Sequence, residues 1–491
     1  MYARPLLVTL LVLVAGCAAP LGPGSPGEDP DAPATTAAGA TTAAPDGPTT
    51  RAGAGPTRTG PAPLPADWEF PDDPPDDRLG WEGGYWYNET IAVDQSDGLN
   101  DSELAAFVNR TMARVEVVRD LEFTEPVPVE VQSRAAYRNS SMFESPANES
   151  ARAWNDQVWE ALLLVGEDRD VADVFDDLYG GAVQGYYSPR ERRIVIVSDS
   201  DRPSIGRATL AHELVHALQD QQFGLPDAGD TQDVQLARDG LIEGDARYVE
   251  QLYRAECSVG NWSCVPNPKA SGGGGSVDMG VFLTVYTPYS EGPTFVHYLR
   301  ERGGWDAVNA AYGDPPASTE QVLHPARYPD ERPVAVTVPD RSAPGWSRFD
   351  HDPVADTVGE ASLFVTFYDQ RGIDRERLRE DPGPYSPYNY TSKVTEGWAG
   401  DAVVPYRNED GAFGYVFRTE WDTAADAEAF ERRYTRTLLQ LRLGATRVDN
   451  GTWVIESGPY ADAFRITRSG RTVTIVNAPT TEQLSEIHRP E

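Results

Sequence analysis

Between residues 101 and 120 the apolar side chains Leu104, Phe107, Val108, Met112 and Val115 recur at three- and four-residue intervals. That spacing predicts an amphipathic helix, with Asp101 or Ser102 as its cap. Residues 149–165 and 170–178 repeat the pattern and predict two further helices. Residues 127–131 alternate as a strand does, and the prolines beside them argue for an edge position or a strand start. Two apolar runs flank Ser188-Pro189, so residues 185–197 read as a hairpin. The helical period returns over 204–222, 232–256, 291–302 and 305–312, and the glycine run 272–275 predicts a mobile loop.

After about residue 339 the pattern changes. Strands are expected over 403–406, 412–421, 446–455, 464–467 and 473–476, with one long helix over 424–443. The whole reads as an α+β protein: a domain of small sheet and helices over 76–339, then a smaller α+β domain of unassigned role over 340–491.

The N-terminus differs from both. A short apolar run, Leu6 to Val14, follows Arg4 and is too short to span a bilayer. It reads as a signal peptide over 1–16. Val14-Ala15-Gly16-Cys17 resembles the lipobox of exported lipoproteins, in which the cysteine is lipidated and becomes the mature N-terminus. Residues 17–75 are rich in Pro, Gly, Ala, Thr and Asp and hold too little apolar surface to offset their ordering entropy. They are expected to form a flexible stalk from a lipid anchor on the outer face of the membrane.

Composition sharpens this picture. Lys and Arg number 42 against 77 Asp and Glu, a formal net charge of −35, and the only lysines are Lys269 and Lys393. Self-repulsion on that scale opposes compaction, and molar salt screens it, with a Debye length of roughly 3 Å at 1 M. The surface suits work in brine. No basic stripe offers itself to phosphate, which argues against a nucleic-acid partner. Oligomeric state is not written in the chain. The remaining cysteines, Cys257 and Cys264, are expected to be oxidised to each other outside the cell.

The chemistry is concentrated in Ala211-His212-Glu213-Leu214-Val215-His216. Histidines four apart on a helix project from one face, so both imidazoles reach a single ion. Glu213 lies about 100° around the helix from His212, beside that face but not on it. A catalytic zinc needs a third protein ligand and an open position. Glu243, 27 residues after His216, lies on the next predicted helix with room for an antiparallel return. Gly244 and Ala246 beside it would let that helix approach the first closely.

His212-Glu213-x-x-His216 with Glu243 on a following helix resembles the gluzincin clan of metallopeptidases. The stretch 183–328 also resembles a family of haloarchaeal surface lipoproteins and distant bacterial relatives. The shared pattern is Gly185-Tyr186-Tyr187-Ser188-Pro189, the segment 211–223, Glu243-Gly244-Asp245-Ala246, Gly303-Gly304-Trp305 and residues 318–325. The resemblance implies a gluzincin-like domain and one Zn²⁺ on His212, His216 and Glu243, and it carries no substrate. Thermolysin-like gluzincins place an aspartate four residues after the third ligand. Arg247 stands there in this chain, which leaves Asp245 or Asp239 as substitutes.

On this reading zinc polarises a carbonyl and acidifies water, and Glu213 passes the water's proton to the leaving amine of a peptide or protein substrate. His324, Tyr289 and His297 are candidate oxyanion donors, and the strand 194–197 is a candidate edge for an extended peptide. The rival expectation is a catalytically silent surface or envelope protein that keeps the fold.

Overall fold

Asn100, not Asp101 or Ser102, caps the first long helix. Its side-chain oxygen accepts the N–H groups of Ser102 and Glu103, while Glu103 accepts the Asn100 N–H in return. The computed structural model of the protein describes residues 76–139, 148–179, 183–225, 229–268 and 277–490. The signal peptide, Cys17, the stalk and the glycine run 272–275 lie outside them.

A short hairpin, β1 (Trp81–Glu82) and β2 (Tyr85–Trp86), precedes α1 (Asp101–Arg119). Then come β3 (Val129–Gln132), α2 (Arg134–Arg138), α3 (Glu149–Ala161), α4 (Val171–Tyr179), β4 (Gly185–Ser188) and β5 (Arg193–Val197). The three strands form a sheet in the order β3-β5-β4, with β3 parallel and β4 antiparallel to β5. β3 is therefore an edge strand, as its prolines require. β5 is central and has no edge to offer: the edge beside the helices is that of β4.

Four helices follow: α5 (Arg207–Phe223), α6 (Gln232–Ser258), α7 (Met279–Ala311) and α8 (Thr319–Leu323). α7 merges the two helices expected over 291–302 and 305–312 and starts earlier. It contains Pro288 and Pro293, and breaks helical geometry only at Gly303 and Gly304. Each proline removes one backbone bond, yet burial of the surrounding turns holds the helix together. α3 stops at Ala161, short of residue 165, because Leu163 takes a left-handed conformation with φ 55°.

The remainder comprises β6 (Trp346–Arg348), α9 (Gly359–Asp369), β7 (Trp398–Asn408), β8 (Phe413–Trp421), α10 (Ala424–Arg433), β9 (Thr446–Asp449), β10 (Thr452–Val454), β11 (Ala463–Ser469), β12 (Thr472–Ala478) and α11 (Leu484–Ile487). The strands form one antiparallel sheet in the order β6-β7-β8-β12-β11-β10-β9. The single strand expected over 446–455 is a hairpin turning at Asn450-Gly451, where Gly451 has φ 81°. The helix expected over 424–443 runs on past α10 as a π-helix, Tyr434–Arg442. α9 has no counterpart among the expected elements. It is buried on every side from Gly359 to Tyr368, so its sequence lacks the polar stripe that marks a surface helix.

The fold is thus a mixed α and β one. Residues on both sides of position 340 share one apolar core, in which Trp159, Leu163 and Leu283 pack with Phe364, Trp398, Phe417 and Phe464. A buried polar joint reinforces it. Asp233 at the start of α6 accepts the Thr319 N–H of α8, and Asp401 of β7 accepts the N–H groups of Val358 and Gly359. Among the described residues no helix is long and apolar enough to cross a membrane.

Candidate metal centre

α5 is enclosed all round: every residue from Ala208 to Gln219 is buried. Its polar positions within that span, Thr209, His212, Glu213, His216 and Gln219, must therefore find partners inside the protein. α6 supplies most of them. Thr231 caps α6 by accepting the Val234 N–H, and the helix then runs past α5 on one side and α7 on the other. Ala246 packs into the cluster that holds Leu214 and Leu218 of α5. Gly244 faces the other way, towards α7. A methyl group built on it would stand 2.5 Å from the carbonyl carbon of Gly292, so the two helices cross backbone to backbone. The glycine expected to serve the α5 contact serves the α7 contact instead.

This crossing fixes Glu243 between the two histidines. His212 Nε2 lies 3.1 Å and His216 Nε2 3.3 Å from Glu243 Oε2. The three side chains are buried, and their donor atoms fall within 4.8 Å of one another. A tetrahedral zinc with bonds of about 2.0–2.1 Å holds its ligand atoms about 3.3–3.4 Å apart, so the observed spacing fits. His216 Nε2 has no hydrogen-bond partner of suitable geometry. The electrostatics agree. Burial works to raise the Glu243 carboxyl, but the imidazoles of His216 and His212 outweigh it and pull the pKa down to about 2. Burial works to lower His212, but Glu243 and Glu250 outweigh it and push the pKa up to about 9. The pocket attracts positive charge, and two imidazoles with a carboxylate are a donor set that zinc accepts.

Behind the candidate ligands stands a second set of bonds that sequence reasoning missed. His212 Nδ1 meets Glu250 Oε2 at 3.3 Å, and Glu250 is itself held by Arg247 Nη1 and Arg254 Nη2, each at 2.6 Å. His216 Nδ1 donates to Gln219 Oε1 at 2.9 Å, and Gln219 Nε2 donates to the Ile242 carbonyl of α6 at 2.9 Å. Such partners fix the ring orientation and the tautomer that leaves Nε2 for a metal. Asp245 is occupied elsewhere, by Arg119 Nε at 2.9 Å and the Tyr312 hydroxyl at 2.8 Å. Arg247, in the position where thermolysin-like enzymes carry an aspartate, holds Glu250. The available signal was the spacing: Glu250 follows Glu243 by seven residues, two turns along the same face.

Glu213 lies beside the trio without joining it. Its Oε2 accepts the Tyr187 N–H of edge strand β4 at 2.9 Å, and Oε1 is buried without a hydrogen-bond partner. Burial pushes its carboxyl well up, against the opposing pull of His212. The Tyr187 hydroxyl donates to Asp220 at 2.8 Å and ties β4 to α5 at a second point.

The other candidates divide. The Tyr289 ring stacks 6.5 Å from that of His212, and burial together with Glu243 pushes its hydroxyl well up, so Tyr289 belongs to the site. Asp239, one turn before Glu243, has its carboxyl pushed well up by burial and by Glu243. His324 is engaged by Glu360, with Nε2 3.1 and 3.2 Å from its two oxygens. His297 pairs with the Tyr248 hydroxyl at 3.1 Å. Cys257 and Cys264 are bonded to each other, closing a loop whose Ser263 carbonyl accepts from Arg110 and Arg114.

Residues 347–488, which hold nearly all of the seven-stranded sheet, match a family described as Domain of unknown function (DUF8575). No curated protein and no solved structure matches the chain.

Proposed function

We propose that the protein is a zinc-dependent peptidase of gluzincin type, held outside the cell by a lipid on Cys17. The observation that carries the reading is the position of Glu213: a buried carboxylate with one oxygen fixed by β4 and the other unpartnered, next to a His2Glu set spaced for zinc. A silent protein would use the oxygen that holds β4 but has no use for the second one beside the candidate ligands, so the site favours the peptidase over the silent envelope protein.

His212, His216 and Glu243 would hold the ion, which supplies Lewis acidity towards a carbonyl and towards water. Glu213 takes a proton from the attacking water and delivers it to the leaving nitrogen. Tyr289, whose ring stacks on that of His212, is the donor we assign to the developing oxyanion. An extended substrate would pair along β4, the edge strand nearest α5. We also read the stretch 340–491 as a smaller α+β unit that shares its core with the preceding helices, and the family match at 347–488 supports that boundary.

The reading is tested by metal content and by cleavage of a mixed peptide library at about 2–4 M salt, chosen to screen the acidic surface. About one zinc per chain is expected, lost together with cleavage in His212→Ala. Zinc that persists at full stoichiometry in a His212→Ala/His216→Ala protein refutes the site. Cys17→Ser should release the protein into the medium; retention on membranes refutes the anchor.

A further inference from the structure

Gln157 and Glu160 lie one turn apart on the buried face of α3. Just beyond α3 the Glu167 N–H donates to the Pro459 carbonyl at 3.0 Å, and Gly166 lies so close to Pro459 that a methyl group there would come within 2.4 Å of it. This contact brings Glu167 and Glu160 up to Asp462, which immediately precedes β11. One carboxylate oxygen from each of the three falls within 4.8 Å of the others. Glu160 is 2% and Asp462 3% exposed, while Glu167 reaches solvent.

Three carboxylates this close need a positive charge or a shared proton, and among the described residues no basic side chain is paired with them. Burial and the neighbouring acids push the Glu160 and Glu167 carboxyls up, and Glu160 and Asp462 are within hydrogen-bonding reach of each other. Another acidic trio, Glu320, Glu331 and Asp422, shows the contrast, because Arg327 reaches all three of its members. Two buried amides border the uncompensated trio. Gln157 Nε2 donates to Glu160, and Asn477 Nδ2 donates to Asp462 at 2.8 Å. Their oxygens, Gln157 Oε1 and Asn477 Oδ1, have no hydrogen-bond partner, and neither has Glu160 Oε1. Buried acceptors without donors are rare in native proteins and mark a missing proton or ion.

Every donor here is an oxygen, which excludes a preference for zinc or copper and selects a hard cation. The carboxylates favour a divalent ion, and a cluster of carboxylates bordered by amides suits calcium, with its tolerant geometry, better than the strict octahedron of magnesium. We propose that Glu160, Glu167 and Asp462, with the amide oxygens of Gln157 and Asn477, form a calcium site that fastens α3 to strands β11 and β12. The ligands come from both sides of residue 340, so the ion acts as a clip between the helical segment and the antiparallel sheet. The site is independent of the His2Glu centre.

The test uses the full-length protein, stripped of divalent ions, returned to one equivalent of zinc and held in about 1 M KCl to suppress loose binding to surface acids. Calcium titration should show one site per chain and raise the melting temperature in a concentration-dependent way. Terbium at the same site should luminesce on tyrosine excitation, since Tyr415 and Tyr460 both lie within electrostatic reach of Glu160. Glu167→Gln alters an exposed residue and leaves the fold intact, and it should weaken calcium at least ~10-fold by loss of one carboxylate. Asp462→Asn should abolish binding, and His212→Ala should leave it unchanged. Calcium affinity unchanged in Glu167→Gln overturns the proposal. So does a melting temperature that calcium does not move but mild acid raises, which is the signature of carboxyls sharing a proton.

Discussion

Glu213 Oε2 accepts the backbone N–H of Tyr187, so a side chain of α5 takes up one donor of the edge strand β4. One carboxylate thereby fixes the strand against the helix and keeps its second oxygen beside the candidate ligands. The first prediction follows. Glu213→Gln can keep the bond to Tyr187 through its amide oxygen but cannot take a proton. Zinc content and melting temperature should stay near wild type, and peptide cleavage should fall at least ~10²-fold. Equal cleavage by the two proteins would remove Glu213 from the role of base.

Glu250 orients His212 and is answered by Arg247 and Arg254. Glu250→Ala should lower zinc affinity by about 10–100-fold, measured by competition with a chromogenic chelator. Glu250→Gln, which still accepts from Nδ1, should lose less. An affinity unchanged in Glu250→Ala would show that the contact does not support the ligand.

Gly244 meets Gly292 where α6 crosses α7. Alanine is the better helix former by about 1 kcal/mol, but here its methyl group would be driven into backbone. Gly244→Ala should therefore be destabilising by about 1–3 kcal/mol net in denaturant titration. Because Glu243 is the neighbouring residue, zinc affinity should drop with it.

The polar joint makes stability depend on pH in an uncommon direction. Burial pushes the Asp233 carboxyl up to about 8 and that of Asp356, which accepts the Gln232 N–H beside it at 2.8 Å, up to about 7. Between pH 6 and 8 the folded chain holds protons that the unfolded chain has released. Stability is therefore lost as pH rises through that window. At fixed molar salt the melting temperature should be higher at pH 6 than at pH 8, and Asp233→Asn should flatten the difference. A melting temperature that climbs towards pH 8 would contradict this.

The two histidines and Glu213 are legible in the sequence because three residues within one turn and a half of helix need only the helical period to be related. Glu243 is legible because its helix must return past the first. Glu250 is not, since its contact with His212 depends on how α6 is rotated against α5, and packing sets that rotation. The partner of Gly244 is hidden for the same reason: a small residue announces a close approach but not which helix makes it. α9 escapes because a helix buried on all sides has no polar face to give it a period. The hairpin of β4 and β5 is visible from Ser188-Pro189, whereas which strand forms the edge depends on β3, more than fifty residues earlier in the chain.

The four residues Glu243, Arg247, Glu250 and Arg254 stand at intervals of three or four along a single helix, with acid and base in alternation. These four charges thus cancel along the helix, each balanced by near neighbours and not by the acidic exterior. Concentrated brine screens the influence of distant surface charge far more than that of a mostly buried pair at 2.6 Å. The exterior can therefore change its charge with habitat, by exchange of surface acids for neutral residues, while the interior keeps the same ion pairs and the same grip on His212.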